Sequence, residues 1–210
     1  MGEKSATYGE MRDFLMTGDI VLFHGLGWES GLIRILEQSQ WSHVGMVVRT
    51  PEIECPLFWE SFPFMYVEDV VLHERKSGAR LVSLDERLAV GVEKGLFDRV
   101  AVRNLRVERT PEMIGALKAF IHGMFHTLPY PGDWGMLLEY LVGRFFLEEK
   151  TETREVQCAE LVAETYKRMG LLSPERPSSS FVPRDFSSAG RLALLMDAEL
   201  EEERILNLGK

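Results

Sequence analysis

The sequence has few cysteines, a deficit of positive charge and no long apolar run. Its two cysteines, Cys55 and Cys158, are too few for a disulfide scaffold and are typical of a reducing compartment. The sequence alone leaves open whether they pair. Lysine and arginine number 24 against 33 aspartate and glutamate residues, so the formal net charge is −9. This charge argues against nucleic acid and against anionic membrane surfaces as partners.

Two further absences concern targeting and membrane insertion. Residues 1–19 lack the continuous apolar core of a signal peptide. The most apolar run, residues 134–147, is interrupted by Glu139 and Arg144 and is too short to span a bilayer. We therefore expect a cytoplasmic protein without an integral membrane segment. Its size and its 45% hydrophobic content predict a single domain over residues 1–210.

Apolar periodicity predicts an alternation of strands and helices along the chain. Strands are expected at residues 20–23, 43–48, 57–62, 80–84 and 99–104, and the tail at 191–208 is expected to form two more. Helices are expected at residues 7–16, 28–38, 110–125 and 134–146, and again from Cys158 onward. Residues 148–155 are interpreted as a charged connector.

The last of these helices carries a cysteine at its predicted start. Lys167 and Arg168 lie in its last turn and Gly170 ends it. In a first helical turn, free N–H groups and the helix dipole stabilise a thiolate and lower the cysteine pKa. Cys158 is therefore a candidate nucleophile. The alternative is an inert, buried thiol, since free cysteine is among the most buried residue types.

A thiolate nucleophile needs a base, and that base needs an orienting group. His43 stands at the start of a predicted core strand, and Glu60 lies among Phe58, Trp59 and Phe62 in the next one. A carboxylate in such a strand is costly unless it is paired, so Glu60 can hold His43 if the two strands are neighbours. Taken alone, His43 is better explained as an ordinary strand-edge histidine, and Glu60 as a carboxylate that faces water.

Three other histidines compete for a role. His24 ends a predicted strand before Gly25 and is a rival base. His122 and His126 have the i, i+4 spacing of zinc ligands, but glycine follows His122 where metalloproteases carry glutamate. We interpret that pair as helix surface or core edge and expect neither a metal nor another cofactor.

Four segments in order resemble a known family. They are similar to segments of the permuted papain-like proteins of the YiiX/YaeF type. The four segments are Gly18-Asp-Ile-Val-Leu-Phe23, Ser42-His-Val-Gly-Met-Val47, Trp59-Glu-Ser61 and Gln157-Cys-Ala-Glu-Leu-Val162. Proteins of this type are circular permutants of the NlpC-type cell-wall peptidases. The order His, Glu, Cys matches the permuted arrangement, and the resemblance covers roughly Gly18 to Asp185. Each motif is weak alone, and the order of the four is fairly specific.

The resemblance implies a fold, a site and an activity. The fold would be α+β, with a small antiparallel sheet packed against helices. Cys158 would be the nucleophile, His43 the general base and Glu60 its orienting residue, with the Gln157 side chain as a second oxyanion donor beside the N–H of Cys158. Glu60→Gln would then keep the fold and lose activity. The sequence departs from the family at Ala159, where serine often follows the cysteine.

Three functions follow from this resemblance. The first is a thiol hydrolase that cleaves amide bonds of peptides or amino-acid conjugates through an acyl-enzyme. The second is an acyltransferase or lipid hydrolase, as in the lecithin:retinol acyltransferase relatives of the same fold. The third is a non-catalytic binding module. The substrate, whether peptide, conjugate or acyl compound, and the oligomeric state are left open.

Overall fold

A computed structural model describes residues 4–26, 40–126 and 153–208. In the described part, a seven-stranded sheet has the order β1-β9-β6-β2-β3-β4-β5, and β7 pairs with β8 in a second, two-stranded sheet. The strands are β1 (Lys4–Thr7), β2 (Ile20–Gly25), β3 (His43–Thr50), β4 (Ile53–Phe62), β5 (Gly78–Ser83), β6 (Phe97–Arg103), β7 (Leu105–Arg106), β8 (Glu199–Leu200) and β9 (Arg204–Asn207). The helices are α1 (Tyr8–Arg12), α2 (Leu84–Glu93), α3 (Pro111–His126) and α4 (Thr153–Arg168).

The predicted α+β class is confirmed, while the sheet is larger than expected and mixed. Strands β2 to β6 pair antiparallel, but β1 and β9 run parallel at the edge. The predicted strands, the two tail strands and the helix at 110–125 are present. The predicted helices at 28–38 and 134–146 lie outside the described residues. None of the helices in the described ranges is long and apolar enough to cross a membrane.

Alternating side chains divide the core into two layers, one on each face of the large sheet. On one face, α4 packs across β3 and β4, and α3 packs on α4. The Trp59 indole N–H donates to Oγ1 of Thr165 at 3.1 Å, and the Tyr166 hydroxyl donates to the Gly18 carbonyl at 2.6 Å. On the other face, α2 packs against β4, β5 and β6. These contacts fix α4 and α2 on opposite sides of the same strands.

Helix α2 begins directly after β5. Ser83 is its N-cap and accepts a hydrogen bond from the Glu86 N–H at 3.3 Å. Leu84, Leu88 and Gly91 face the sheet, and Arg87 is buried among them. A helix that follows its strand directly through a serine cap has a fixed exit direction. This fixed direction places the arginine against the end of β4 that carries Glu60.

Candidate functional site

His43 and Glu60 lie on neighbouring strands, and their side chains meet. His43 is the first residue of β3, and Glu60 is near the end of β4. The imidazole Nε2 and Oε2 of Glu60 are 2.7 Å apart, a hydrogen bond in which an ionised carboxylate accepts from Nε2–H. Glu60 is fully buried and the His43 side chain keeps 10% exposure. The predicted contact between these residues is confirmed.

Two arginines, which sequence analysis did not single out, hold the same carboxylate. Arg80 lies opposite Glu60 on β5 and donates from Nε to Oε1 at 3.0 Å. Arg87 on α2 donates from Nε to both carboxylate oxygens, at 3.0 and 3.2 Å. Both guanidinium groups are buried, and both lie over the ring of Phe62. Glu60 is therefore the shared counter-charge of two buried cations as well as the partner of His43.

The charges of this cluster oppose the effect of burial on Glu60. Burial acts to raise the pKa of Glu60, but Arg87, Arg80 and the hydrogen bond from His43 outweigh it and hold that pKa far below its usual range. For His43, burial is the largest effect and lowers the pKa; Glu60 offsets part of this, and the two arginines lower the pKa further. At neutral pH the pair is therefore a carboxylate and a neutral imidazole with its lone pair on Nδ1.

Aromatic rings enclose the imidazole on the α2 face. The ring centroid of His43 lies 5.1 Å from Phe62, 5.7 Å from Phe23 and 6.5 Å from Phe58. Gly45 makes room for the last of these, since an ideal Cβ there would lie 2.2 Å from the Phe58 ring. The glycine of the His-Val-Gly motif thus has a packing role. The rings hold the imidazole in one orientation and keep water from most of its surface.

Cys158 occupies a different position from the predicted one. Because α4 begins at Thr153, Cys158 lies in its second turn, next to the first turn but not at the helix start that the sequence predicted. The helix dipole acts within the first turn, and only the first four N–H groups lack helical partners. Neither effect favours a thiolate or an oxyanion at Cys158. The side chain of Gln157 lies outside the part of the chain that the structure describes.

The thiol and the imidazole belong to opposite faces of the sheet. His43 pairs across from Phe23, and both rings pack on the α2 face. Cys158 has no exposed surface and lies in the core cluster on the α4 face, together with Val44 and Trp59. The structure therefore brings His43 and Glu60 together and separates Cys158 from them by the start of β3.

Both groups nevertheless lie toward the same end of the sheet. Thr165 of α4 contacts Trp59, which pairs with Met46 of β3. From there, seven helical residues back to Cys158 and three strand residues back to His43 each cover about 10 Å. Met169 lies further along α4, and its side chain approaches Gly18, which precedes β2 at the other end of the sheet. The first turns of α4 thus run toward the end where β3 begins.

The rival histidines have other surroundings. His24 Nδ1 is hydrogen-bonded to Asp98, and alternation along β2 places His24 on the α4 face. His122 is exposed on α3, as expected, and the side chain of His126 lies outside the described residues. In residues 4–26, 40–126 and 153–208, no group of three or more histidine, cysteine or acidic side chains could hold a metal ion.

The buried pair makes the protein less stable in acid. The pKa values of His43 and Glu60 are both lower in the folded protein than in the unfolded chain. The unfolded state therefore binds more protons below about pH 6.5 for His43 and below about pH 4.5 for Glu60. We expect the free energy of unfolding to fall with pH by up to about 1.4 kcal/mol per pH unit for each group.

Urea unfolding between pH 7 and pH 4 measures this dependence. His43→Gln keeps a hydrogen-bonding group but cannot gain a proton. Between pH 6.5 and pH 5, this variant should show a shallower decline than the parent protein. Equal slopes in the two proteins would mean that His43 has the same pKa folded and unfolded.

Comparisons with known proteins find a match among solved structures. No family model matches the chain, and no curated protein matches its sequence. Among solved structures, it is similar to the metalloprotein YiiX from Escherichia coli O157:H7, with 16% identity and a TM-score of 0.43. The match covers 93% of this chain and 98% of that chain.

Proposed function

We propose that this protein is a thiol-dependent hydrolase that cleaves amide bonds of peptides or amino-acid conjugates, on a permuted papain-like fold. The observation that carries the proposal is the 2.7 Å hydrogen bond between Nε2 of His43 and Glu60. A buried, ionised carboxylate on Nε2 fixes the tautomer and leaves Nδ1 as the basic nitrogen. A histidine needs this fixed tautomer and a free basic nitrogen to act as a general base.

In the proposed reaction, Nδ1 of His43 takes the proton from the thiol of Cys158. The thiolate attacks the amide carbonyl, and the tetrahedral intermediate collapses as the imidazolium returns the proton to the leaving amine. A thioester then joins the acyl group to Cys158. Water, deprotonated by Nδ1, attacks the thioester and releases the carboxylic acid and the thiol. Glu60 stabilises the imidazolium at each step without itself taking the proton.

The start of β3 is where this proposal places the reaction. Nδ1 is the ring nitrogen nearer the backbone, so it lies close to the first residue of the strand. The first turns of α4 run toward the same end of the sheet on the opposite face. The proposal requires the thiol to reach Nδ1 around this strand end when substrate binds.

A second candidate function is a non-catalytic binding module that keeps the same fold. The complete burial of Cys158 in an apolar cluster favours it, together with the position of the cysteine in the second turn of α4. In that case the thiol packs the core, and the His43–Glu60 pair serves only to neutralise buried arginines.

Alkylation kinetics separate the two functions. Cys55 is half-buried and Cys158 is fully buried, so burial alone predicts faster labelling of Cys55. If Cys158 is the nucleophile, iodoacetamide at pH 7 should modify it at least tenfold faster than Cys55. Time-resolved mass spectrometry of the two cysteine peptides measures both rates. Faster labelling of Cys55 would contradict the hydrolase and favour the binding module.

Histidine variants identify the base. His43→Gln should slow the labelling of Cys158 to the rate of an ordinary buried thiol, whereas His24→Gln should leave it unchanged. Cys55 supplies the internal control in each variant. If His24→Gln alone slowed the reaction, the base would be the histidine on the α4 face, and the assignment of His43 would be wrong.

A further inference from the structure

A row of aromatic rings leads from the imidazole to the protein surface. Phe62 lies 5.1 Å from His43, Phe64 lies 5.4 Å from Phe62, and Tyr66 lies 5.4 Å from Phe64. The ammonium group of Lys94 sits 5.0 Å from the Tyr66 ring centroid. We call the three rings, Phe62, Phe64 and Tyr66, the aromatic strip.

The exposed part of the strip is its middle. Phe62 and Tyr66 are half-buried, while Phe64 and its neighbour Met65 are 42% and 58% exposed. The residues are held in place, because Arg80 donates from Nη1 to the Phe64 carbonyl at 2.6 Å. An exposed apolar surface that is fixed by a buried arginine is preorganised for a ligand and loses little entropy on binding.

The outer end of the strip carries a positive charge. In the described part of the chain, Lys94 is exposed and forms no ion pair. Its contact with the face of Tyr66 directs the ammonium group to the end of the strip. Although the protein has a net charge of −9, the Lys94 ammonium group therefore favours an anion at this end of the apolar surface.

We propose that the aromatic strip binds a short extended peptide with apolar side chains and a free C-terminal carboxylate, which pairs with Lys94. The orientation of the peptide in this inference rests on the proposed function. An amide bond to be cleaved lies at His43, so a carboxylate at the far end belongs to the peptide on the leaving side of that bond. A fatty acid with its carboxylate at Lys94 would present only its methyl end to His43. At about 3.3 Å per residue, the strip accommodates no more than about six extended residues.

Direct binding tests the proposal without requiring any catalysis. The probe is an N-acetylated tripeptide of leucine, phenylalanine and leucine, as the free acid and as the C-terminal amide. Titration into Cys158→Ala protein, followed by calorimetry, gives both affinities without cleavage. We expect saturable binding, with the acid bound about threefold more tightly than the amide, as for an exposed ion pair.

Three variants assign the contacts. Phe64→Ser should weaken both peptides by about tenfold, because a ring contact is lost. Lys94→Gln should remove the preference for the acid and leave the amide unaffected. Phe14→Ser is the matched control, since Phe14 is 75% exposed outside the strip, and it should change neither affinity.

The proposal is overturned by any of three results: no saturable binding at millimolar peptide, equal affinities for acid and amide, or equal losses in the Phe64 and Phe14 variants. Failure of the hydrolase proposal would appear separately, as an unreactive Cys158 in a protein that still binds the peptide acid.

Discussion

Replacing Glu60 by glutamine is expected to lower the free energy of unfolding by about 3–5 kcal/mol, because it leaves two buried guanidinium groups without their counter-charge. Arg80 and Arg87 are both buried and both donate to Glu60. Glutamine retains a hydrogen-bond acceptor but not the negative charge. The sequence-based expectation that Glu60→Gln keeps the fold intact therefore has to be revised. Urea unfolding at pH 7 measures the loss.

A double variant supplies the control for this effect. Arg87→Met removes one cation and replaces it with an apolar side chain among Phe23, Phe62 and Phe97. Combined with Glu60→Gln, it restores the net charge of the parent cluster, so it should recover part of the lost stability. If Glu60→Gln unfolds at the same urea concentration as the parent, Glu60 does not stabilise the arginines.

Cys158→Ala is expected to abolish hydrolysis, with at least a 1,000-fold loss of kcat, because no other group in the proposed reaction forms the acyl-enzyme. The substitution removes only a sulfur atom from the core, so stability should fall by no more than about 1–2 kcal/mol. The probe is the N-acetylated tripeptide amide used for the binding titrations. Chromatography follows its hydrolysis by the parent protein and by Cys158→Ala, and the ratio of the two rates gives the loss.

The second cysteine is the matched control. Cys55→Ala should retain the activity of the parent, since Cys55 lies in the first half of β4, away from His43. Residual activity of Cys158→Ala equal to that of the parent would remove the thiol from the mechanism. The His43–Glu60 pair would then have to act on water directly.

Much of the fold was predictable because strands in this chain carry strong local signals. The β3 and β4 segments are rich in valine, phenylalanine and tryptophan, and α3 begins with a threonine and proline start signal. The start of α4 was missed for a local reason. Thr153, Arg154 and Glu155 include no strongly apolar side chain, so they were interpreted as the end of the charged connector 148–155, and the start of the helix was placed about one turn too late.

The candidate site was predictable only in part. Sequence alone identified His43 and Glu60, because a carboxylate among aromatic residues needs a partner. Arg80 could have been suspected, since it begins a predicted strand beside the one that carries Glu60. Arg87 gives no such signal, because an arginine near the start of an amphipathic helix usually faces water. Its burial follows from the packing of α2 on β4, a long-range contact.

The order of the strands has a consequence for how the molecule folds. Strand β6 pairs with β2 and with β9, so the centre of the sheet is completed by segments far apart in the sequence. Strand β1 then pairs with β9, and Lys4 lies opposite Arg204. Closing such long loops costs chain entropy before the contacts form, and folding slows as contact order rises. During synthesis, the edge of β6 stays open until β9 has emerged, a period in which the nascent sheet can pair with other chains.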